Sequence, residues 1–123
     1  MYVGLDMGTW GVRGILIDDA GSVLGEANAP LETQHLHPGW SEQDPDSWIT
    51  ACDQVMRALK AAHAEALTDL RGIGLSGHMH GATLVDADGR ALRPCILWND
   101  TRSAREAAEL DAKPIMRDAS ANI

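Results

Sequence analysis

Three short runs with strand-like apolar spacing fall within the first 29 residues, separated by two turn clusters. Residues 2–6 form the first run, residues 12–17 the second, with Val12, Ile15, Leu16 and Ile17 apolar, and residues 22–29 the third. The breaks are Gly8-Thr9-Trp10-Gly11 and Asp18-Asp19-Ala20-Gly21. Links this short can join only antiparallel neighbours, because parallel neighbours need a crossover of about a dozen residues or more. The chain is therefore predicted to open with an antiparallel three-stranded meander.

Residues 30–43 read as a loop. Asp44-Pro45 is a helix start, with Asp44 as N-cap and Pro45 at the first helical position, where a missing N–H is harmless. Asp46 adds negative charge to the positive end of that helix. Trp48, Ile49, Cys52, Val55, Met56, Leu59 and Ala62 recur at steps of three and four, one apolar face of a helix running to about residue 67. Residues 72–77 read as a glycine-rich buried strand, 82–85 and 94–98 as further strands, and Asp88-Gly89 as a hairpin signal. Residues 103–110 read as a second helix. The stretch 111–123, with Pro114, Ile115 and Met116, has no evident cap. The order β-β-β-α-β-β-β-α indicates an α/β class, a mixed sheet with helices on its faces.

A length of 123 residues fits one domain. Phe is absent and Tyr occurs once, so four Trp and the aliphatics must fill the core. At this size a single core gives marginal stability. A formal net charge of −8 disfavours nucleic acid, whose binding rests on Lys and Arg meeting phosphate. A nucleotide remains compatible, because a local nest of backbone N–H groups outweighs global charge. The N-terminus lacks the basic and apolar regions of a signal peptide, and no apolar run approaches the roughly 18 residues of a membrane span. The expectation is a cytoplasmic protein with no membrane partner. Cys52 and Cys95 show no CxxC or metal-ligand spacing and read as buried free thiols.

The chemistry concentrates at the first turn. In Asp6-Met7-Gly8-Thr9, a carboxylate at a strand end suits Mg²⁺ held through water. Gly8 permits a tight turn with its N–H groups outward, an anion nest, and Thr9 adds a hydroxyl donor. Together these suit nucleotide phosphates, although the same four residues also read as a plain hairpin turn. No Gly-x4-Gly-Lys-[Ser/Thr] loop occurs, and the glycines at 4, 8, 11 and 14 have the wrong spacing for a dinucleotide fingerprint.

Four blocks together carry a resemblance. They are Tyr2-Val3-Gly4-Leu5-Asp6-Met7-Gly8-Thr9 with Gly11-Val12-Arg13, then Gly39-Trp40-Ser41-Glu42-Gln43-Asp44-Pro45, then Gly77-His78-Met79-His80-Gly81, and Ile96-Leu97-Trp98-Asn99-Asp100-Thr101-Arg102. In this order they resemble the FGGY carbohydrate kinases, of the superfamily of actin, hexokinase and the 70-kDa heat-shock ATPases. The Met79-His80-Gly81 block is similar to the sugar-binding segment of the family's xylulokinase branch, where glycerol kinases carry an Arg-Glu pair. The resemblance implies the N-terminal part of the first domain of an actin-like ATPase (ribonuclease H-like) fold. It implies ATP and Mg²⁺ as cofactors and transfer of the γ-phosphate to D-xylulose, giving xylulose 5-phosphate. Alternatives within the family are another pentulose or polyol, or a regulator that binds sugar without phosphorylating it.

The same resemblance implies roles. Asp6 would position Mg²⁺, through water, and the transferring phosphate. Gly8 and Thr9 would face the ATP phosphates. Met79 and His80 would contact the sugar, Trp98 would form an apolar wall beside it, and Asn99 and Asp100 would border the pocket. A homodimer is compatible with this reading. Two positions depart from the family pattern. Trp10 replaces a Ser or Thr, removing a hydroxyl and placing a bulky indole where phosphates are expected. His78 replaces a common Gln. Family members are several times longer, and the Asp that accepts the sugar hydroxyl's proton lies in their second half, with the adenosine pocket. Residues 1–123 are accordingly expected to be a partial N-terminal domain, without the C-terminal ATP-binding domain and inactive alone.

Other readings of these residues are weaker. His35-x-His37 and His78-x-His80 have the spacing of paired metal ligands on a strand, but no third ligand stands at diagnostic spacing. A buried core histidine is the alternative for His80. Gly74-Leu75-Ser76-Gly77-His78 lacks the final glycine of a nucleophile elbow. Trp40 either pins the loop to the helix start or lines the cleft. Asp18, Asp19, Asp86, Asp88 and Arg90 lie in turns and carry no expected chemistry.

Overall fold

The computed structural model describes residues 1–113. The predicted meander is present as β1 (Tyr2–Gly8), β2 (Gly11–Ile17) and β3 (Val23–Pro30). Both links are antiparallel, with Tyr2 opposite Ile17, Gly8 opposite Gly11, and Gly11 opposite Pro30. The fourth strand of the sheet, β5 (Gly72–Gly77), adds beside β1 in parallel, giving the order β3-β2-β1-β5. The sheet is thus mixed and starts with the meander, as expected.

Alternation along β1 and β2 turns Val3, Leu5, Val12 and Leu16 to one face. That face receives α1 (Pro45–Ala62), whose Ala51, Val55 and Leu59 complete the core. The start of α1 follows the sequence signal: Asp44 accepts from the Asp46 N–H at 3.0 Å, and Pro45 opens the helix. Close approach depends on Gly14 of β2, because a Cβ there would collide with Val55 Cγ1. The inward stripe differs from the expected one. Ile49 is 71% exposed, and Ala51, which the stripe omitted, is buried. At 3.6 residues per turn Ile49 sits about 120° around the helix from Val55, so apolar character alone misplaced it.

The predicted single helix to residue 67 is broken at His63, whose φ of −137° leaves the helical region before the short α2 (Ala64–Leu67). The His63 ring there covers Gly25 of β3. In β5 the strand is as predicted but its burial is not. Gly72 is half-buried and Ile73 to Gly77 are exposed. The strand bonds to β1 alone, and α1 packs on β2 and β3 instead.

The second half of the described chain is less regular than predicted. A two-residue strand, β6 (Cys95–Ile96), pairs antiparallel with β4 (Glu42–Gln43), inside the stretch read as a loop. The expected strand at 82–85 reduces to single bridges, Ala82 with Ile96 and Val85 with Ala91. The hairpin signal between them holds: Gly89 takes φ +79°, and the Asp86 carboxylate accepts from the N–H groups of Asp88 and Arg90. Helix α3 (Ala104–Asp111) closes the described part. Residues 114–123, including Pro114, Ile115 and Met116, lie outside it. Cys95 is buried and Cys52 half-buried, both free, and burial pushes the Cys52 thiol up. No helix among the described residues is long and apolar enough to cross a membrane.

Candidate functional site

The parallel register of β1 with β5 sets Asp6 beside Ser76 and Met7 beside Gly77. The segments leaving the carboxyl ends of both strands therefore emerge side by side, where open α/β sheets place their ligands. Between them lies a cleft of about 310 Å³. Asp6, Met7, Gly8 and Thr9 form one wall, His78, Met79 and His80 the other, and Trp98 a third side. Six of the eight anticipated residues are thus together: Asp6, Gly8, Thr9, Met79, His80 and Trp98.

On the first wall, Asp6 is exposed, and its carboxylate makes no hydrogen bond or ion pair among the described residues. No cluster of three or more His, Cys, Asp or Glu side chains able to hold a metal occurs among them either. A single free carboxylate fits Mg²⁺ held through its own waters and the phosphates of a substrate, and does not make a protein cage. The turn uses Thr9 and Trp10 as its central pair, and neither has positive φ. Gly8 is not required by backbone conformation, because a Cβ there would meet the Gly11 carbonyl oxygen at an ordinary 3.5 Å. The N–H groups of Thr9 and Trp10 donate to no acceptor among the described residues. The Trp10 indole is 82% exposed and is not part of the cleft lining, so it does not fill the space beside Thr9.

On the second wall, Met79 and Trp98 present large apolar surface to the open cleft, and the Trp98 indole N–H lies 3.4 Å from Thr9 Oγ1. His80 is exposed, not a core histidine, and it holds φ at +59°. A non-glycine residue in the left-handed region costs roughly 1 kcal/mol or more, and such residues gather at functional sites. His78, the departure from the common Gln, packs its ring 5.4 Å from that of Trp48 on α1, with a buried Nε2.

Asn99 and Asp100 are placed elsewhere. Asn99 is exposed and lines a separate shallow groove with His35, His37 and Trp40. The Asp100 side chain is buried, and it is not part of the cleft lining. Its Oδ2 accepts from the Ser41 N–H at 2.7 Å and from Arg102 Nη2 at 2.6 Å, and its Oδ1 accepts from Arg102 Nε at 2.8 Å. The Arg102 hydrogen bonds hold the Asp100 carboxyl well below the usual carboxylate range, against the opposing effect of burial. Glu42 joins this group, accepting from Arg102 Nη1 at 2.8 Å and from Arg93. Trp40 neither staples the helix start nor lines the cleft. The Arg102 guanidinium lies over its ring at 3.7 Å, and His37 meets it edge-on at 4.5 Å.

Met7, Gly77 and His78 line the cleft without having been assigned a role. Their signal was adjacency, since each neighbours an assigned residue. Gln43, fully buried behind Thr9, gave no such signal, because a Glu-Gln pair before an N-cap reads as solvated loop.

Residues 1–122 match the FGGY family of carbohydrate kinases, N-terminal domain. The chain is 48% identical over 113 residues to the xylulose kinase of Escherichia coli K12, covering 92% of this chain and 23% of that protein. The crystal structure of a "xyloylose kinase" from Brucella ovis superposes with a TM-score of 0.92 at 60% identity, over 95% of this chain and 25% of that one. A xylulose kinase from Rhodospirillum rubrum gives a TM-score of 0.82 at 36% identity, over 89% of this chain and 22% of that one. The chain therefore spans about a quarter of the length of these relatives, and it shares their actin-like α/β fold. With its opening hairpin, its cleft and the family match all on the same residues, the chain belongs to the FGGY family of carbohydrate kinases.

Proposed function

We propose that the protein containing this chain transfers the γ-phosphate of ATP to D-xylulose, giving xylulose 5-phosphate. The observation that carries this reading is the β1–β5 register, which brings an acidic, amide-bearing turn and a Met-His wall onto one cleft. The similarity to xylulose kinases along the same residues supports the choice of sugar.

In this reading the exposed Asp6 carboxylate orients the hydrated Mg²⁺ of the nucleotide. That ion, when bound, neutralises charge on the transferring phosphoryl group. The free N–H groups of Thr9 and Trp10, with the Thr9 hydroxyl, hold the phosphate oxygens by backbone dipoles, which is why a chain of net charge −8 can do so. Met79 and Trp98 exclude water from one side of the sugar, and His80 directs a ring nitrogen to a hydroxyl. Asn99 and Asp100 border this pocket only indirectly, through the segment that carries Trp98. The residue that takes the sugar's proton is supplied by the remaining length of the protein, so the 123-residue chain alone gives no turnover.

The test is ATP consumption by the full-length enzyme with Mg²⁺ and a panel of D-xylulose, ribulose and glycerol. The expected result is turnover with xylulose preferred, and a fall in kcat on the order of 10²-fold for Asp6→Asn. Preference for glycerol would move the substrate to another branch. Sugar binding without ADP release would make the protein a sensor.

A further inference from the structure

Behind the cleft, Gln43 ties three separate segments together. Its side chain is completely buried, at 0% exposure. Its Nε2 donates to the Thr9 carbonyl at 2.7 Å and to Thr33 Oγ1 at 3.0 Å, and its Oε1 accepts from Trp48 Nε1 at 2.9 Å. The orientation of the amide is fixed by its partners. An indole N–H can only donate, so the oxygen must face Trp48 and the NH₂ must face the carbonyl. Both N–H donors of the amide are used, and its oxygen accepts one bond.

This bond reaches the turn from outside the hairpin. Thr9 and Trp10 are its two central residues, and their carbonyls are held by Gln43 and by the Leu31 N–H, at 2.7 and 3.1 Å. In a trans peptide the carbonyl of one residue opposes the N–H of the next, so holding the Thr9 carbonyl directs the Trp10 N–H away from Gln43. Gln43 also precedes the N-cap of α1 and pairs with Cys95 in β6. Through Trp48 the connection continues to the His78 ring on the opposite wall, at 5.4 Å.

We propose that Gln43 is a positioning residue for the phosphate-side turn. It sets the Thr9–Trp10 peptide so that the Trp10 N–H stays presented to an anion, and it couples that turn to the wall carrying His78. The kinetic part of this inference rests on the kinase reading above. The structural part does not.

The test uses the full-length protein and two variants. Gln43→Glu removes both donors and sets a carboxylate oxygen against the Thr9 carbonyl. Trp48→Phe keeps an aromatic ring on α1 and removes the donor that orients the amide. Hydrogen exchange without ligand should be faster at residues 7–12 in Gln43→Glu and unchanged at residues 72–77, with Trp48→Phe smaller in the same direction. In turnover, Gln43→Glu should lower kcat/KM for ATP about tenfold, equivalent to about 1.4 kcal/mol, with KM for xylulose unchanged. Exchange at 7–12 that matches wild type, or that rises equally across the sheet, overturns the proposal, and so does an equal rise in KM for both substrates. Should wild type phosphorylate no sugar, the kinase reading fails while the exchange comparison still decides the positioning role. Should Gln43→Glu not fold, Trp48→Phe carries the same comparison.

Discussion

Leu59 and Leu75 are the same residue in two differently built regions. Leu59, on α1, is 1% exposed and closes a core with Val3, Leu5, Val12, Leu16 and Val55. Leu75, on β5, is 70% exposed, in a strand whose neighbours Ile73 and Ser76 are exposed too. The meander and α1 are held by apolar burial. The segment from β5 to Trp98 buries Cys95 and Leu97 but leaves Ile73, Leu75, Met79, Leu84, Val85, Leu92 and Trp98 exposed, and it is fastened largely by the β1–β5 ladder, the short β4–β6 pairing and the charge group of Glu42, Asp100 and Arg102 that follows it. One region therefore leans on non-directional packing behind its ladders, and the cleft wall more on directional bonds. Met79, His80 and Trp98 line the cleft from this second region.

The largest expected effect breaks the packed region. Gly14→Val places a branched side chain where even a Cβ would collide with Val55 and approach Leu5 Cδ2 and Leu59 Cδ1 at 3.2 and 3.3 Å. Overpacking of this kind costs 1–3 kcal/mol at sites that can relax. Here helix and sheet meet directly, so a loss of about 3 kcal/mol or more is expected, seen in thermal unfolding as a lower Tm or no cooperative transition. A variant that unfolds like wild type would mean that α1 does not sit on β2.

The second effect targets the ionic fastening. Asp100→Asn removes the charge that two Arg102 nitrogens contact and leaves that guanidinium opposite Glu42 alone. Breaking one partner of a fully buried pair costs about 3–5 kcal/mol; Arg102 is only half-buried and the amide retains some hydrogen bonding, so a smaller loss of about 1–2 kcal/mol is expected. Because the folded carboxyl is held below its ordinary value, its contribution is complete above the unfolded value of about 3.9. It is lost as pH falls through the lower folded value. Denaturant titrations in acid should therefore show wild type losing stability on that descent, while Asp100→Asn loses less. Hydrogen exchange should show residues 95–102 opening before residues 2–17. A simultaneous loss in both regions would merge them into one cooperative unit.

The division between the regions also explains what was legible in the sequence. The meander, the Asp44-Pro45 helix start and the Asp88-Gly89 turn follow from local chemistry, and the structure has all three. The Asp6 turn and the Met79-His80 block could be joined only through family resemblance, because their proximity comes from a parallel pairing across some 70 residues. Three features needed the tertiary structure. The exposure of β5 depends on what packs beside it, and a glycine-rich apolar run looks the same buried or bare. The place of Ile49 depends on which part of a broad stripe meets the sheet. The side chains of Asp100 and Gln43 are buried against segments remote in sequence, the Ser41 amide for Asp100 and Thr9 for Gln43, so the sequence around each does not mark it as interior.

The smallest expected effect sharpens the comparison most. Leu59→Ala should cost about 3 kcal/mol, as buried leucines do. Leu75→Thr, on the open face of β5, should change the stability of the 123-residue chain by only about 0.5 kcal/mol, since the side chain has little contact to lose and threonine suits a strand. The relatives are about four times longer, so the same substitution in the full-length protein is a separate measurement. If the cost there stays near 0.5 kcal/mol, β5 is an exposed edge in the whole protein as well. If it rises toward the value for Leu59, the remaining polypeptide packs on this strand, and the cleft wall gains from outside the chain the apolar support that α1 gives the meander.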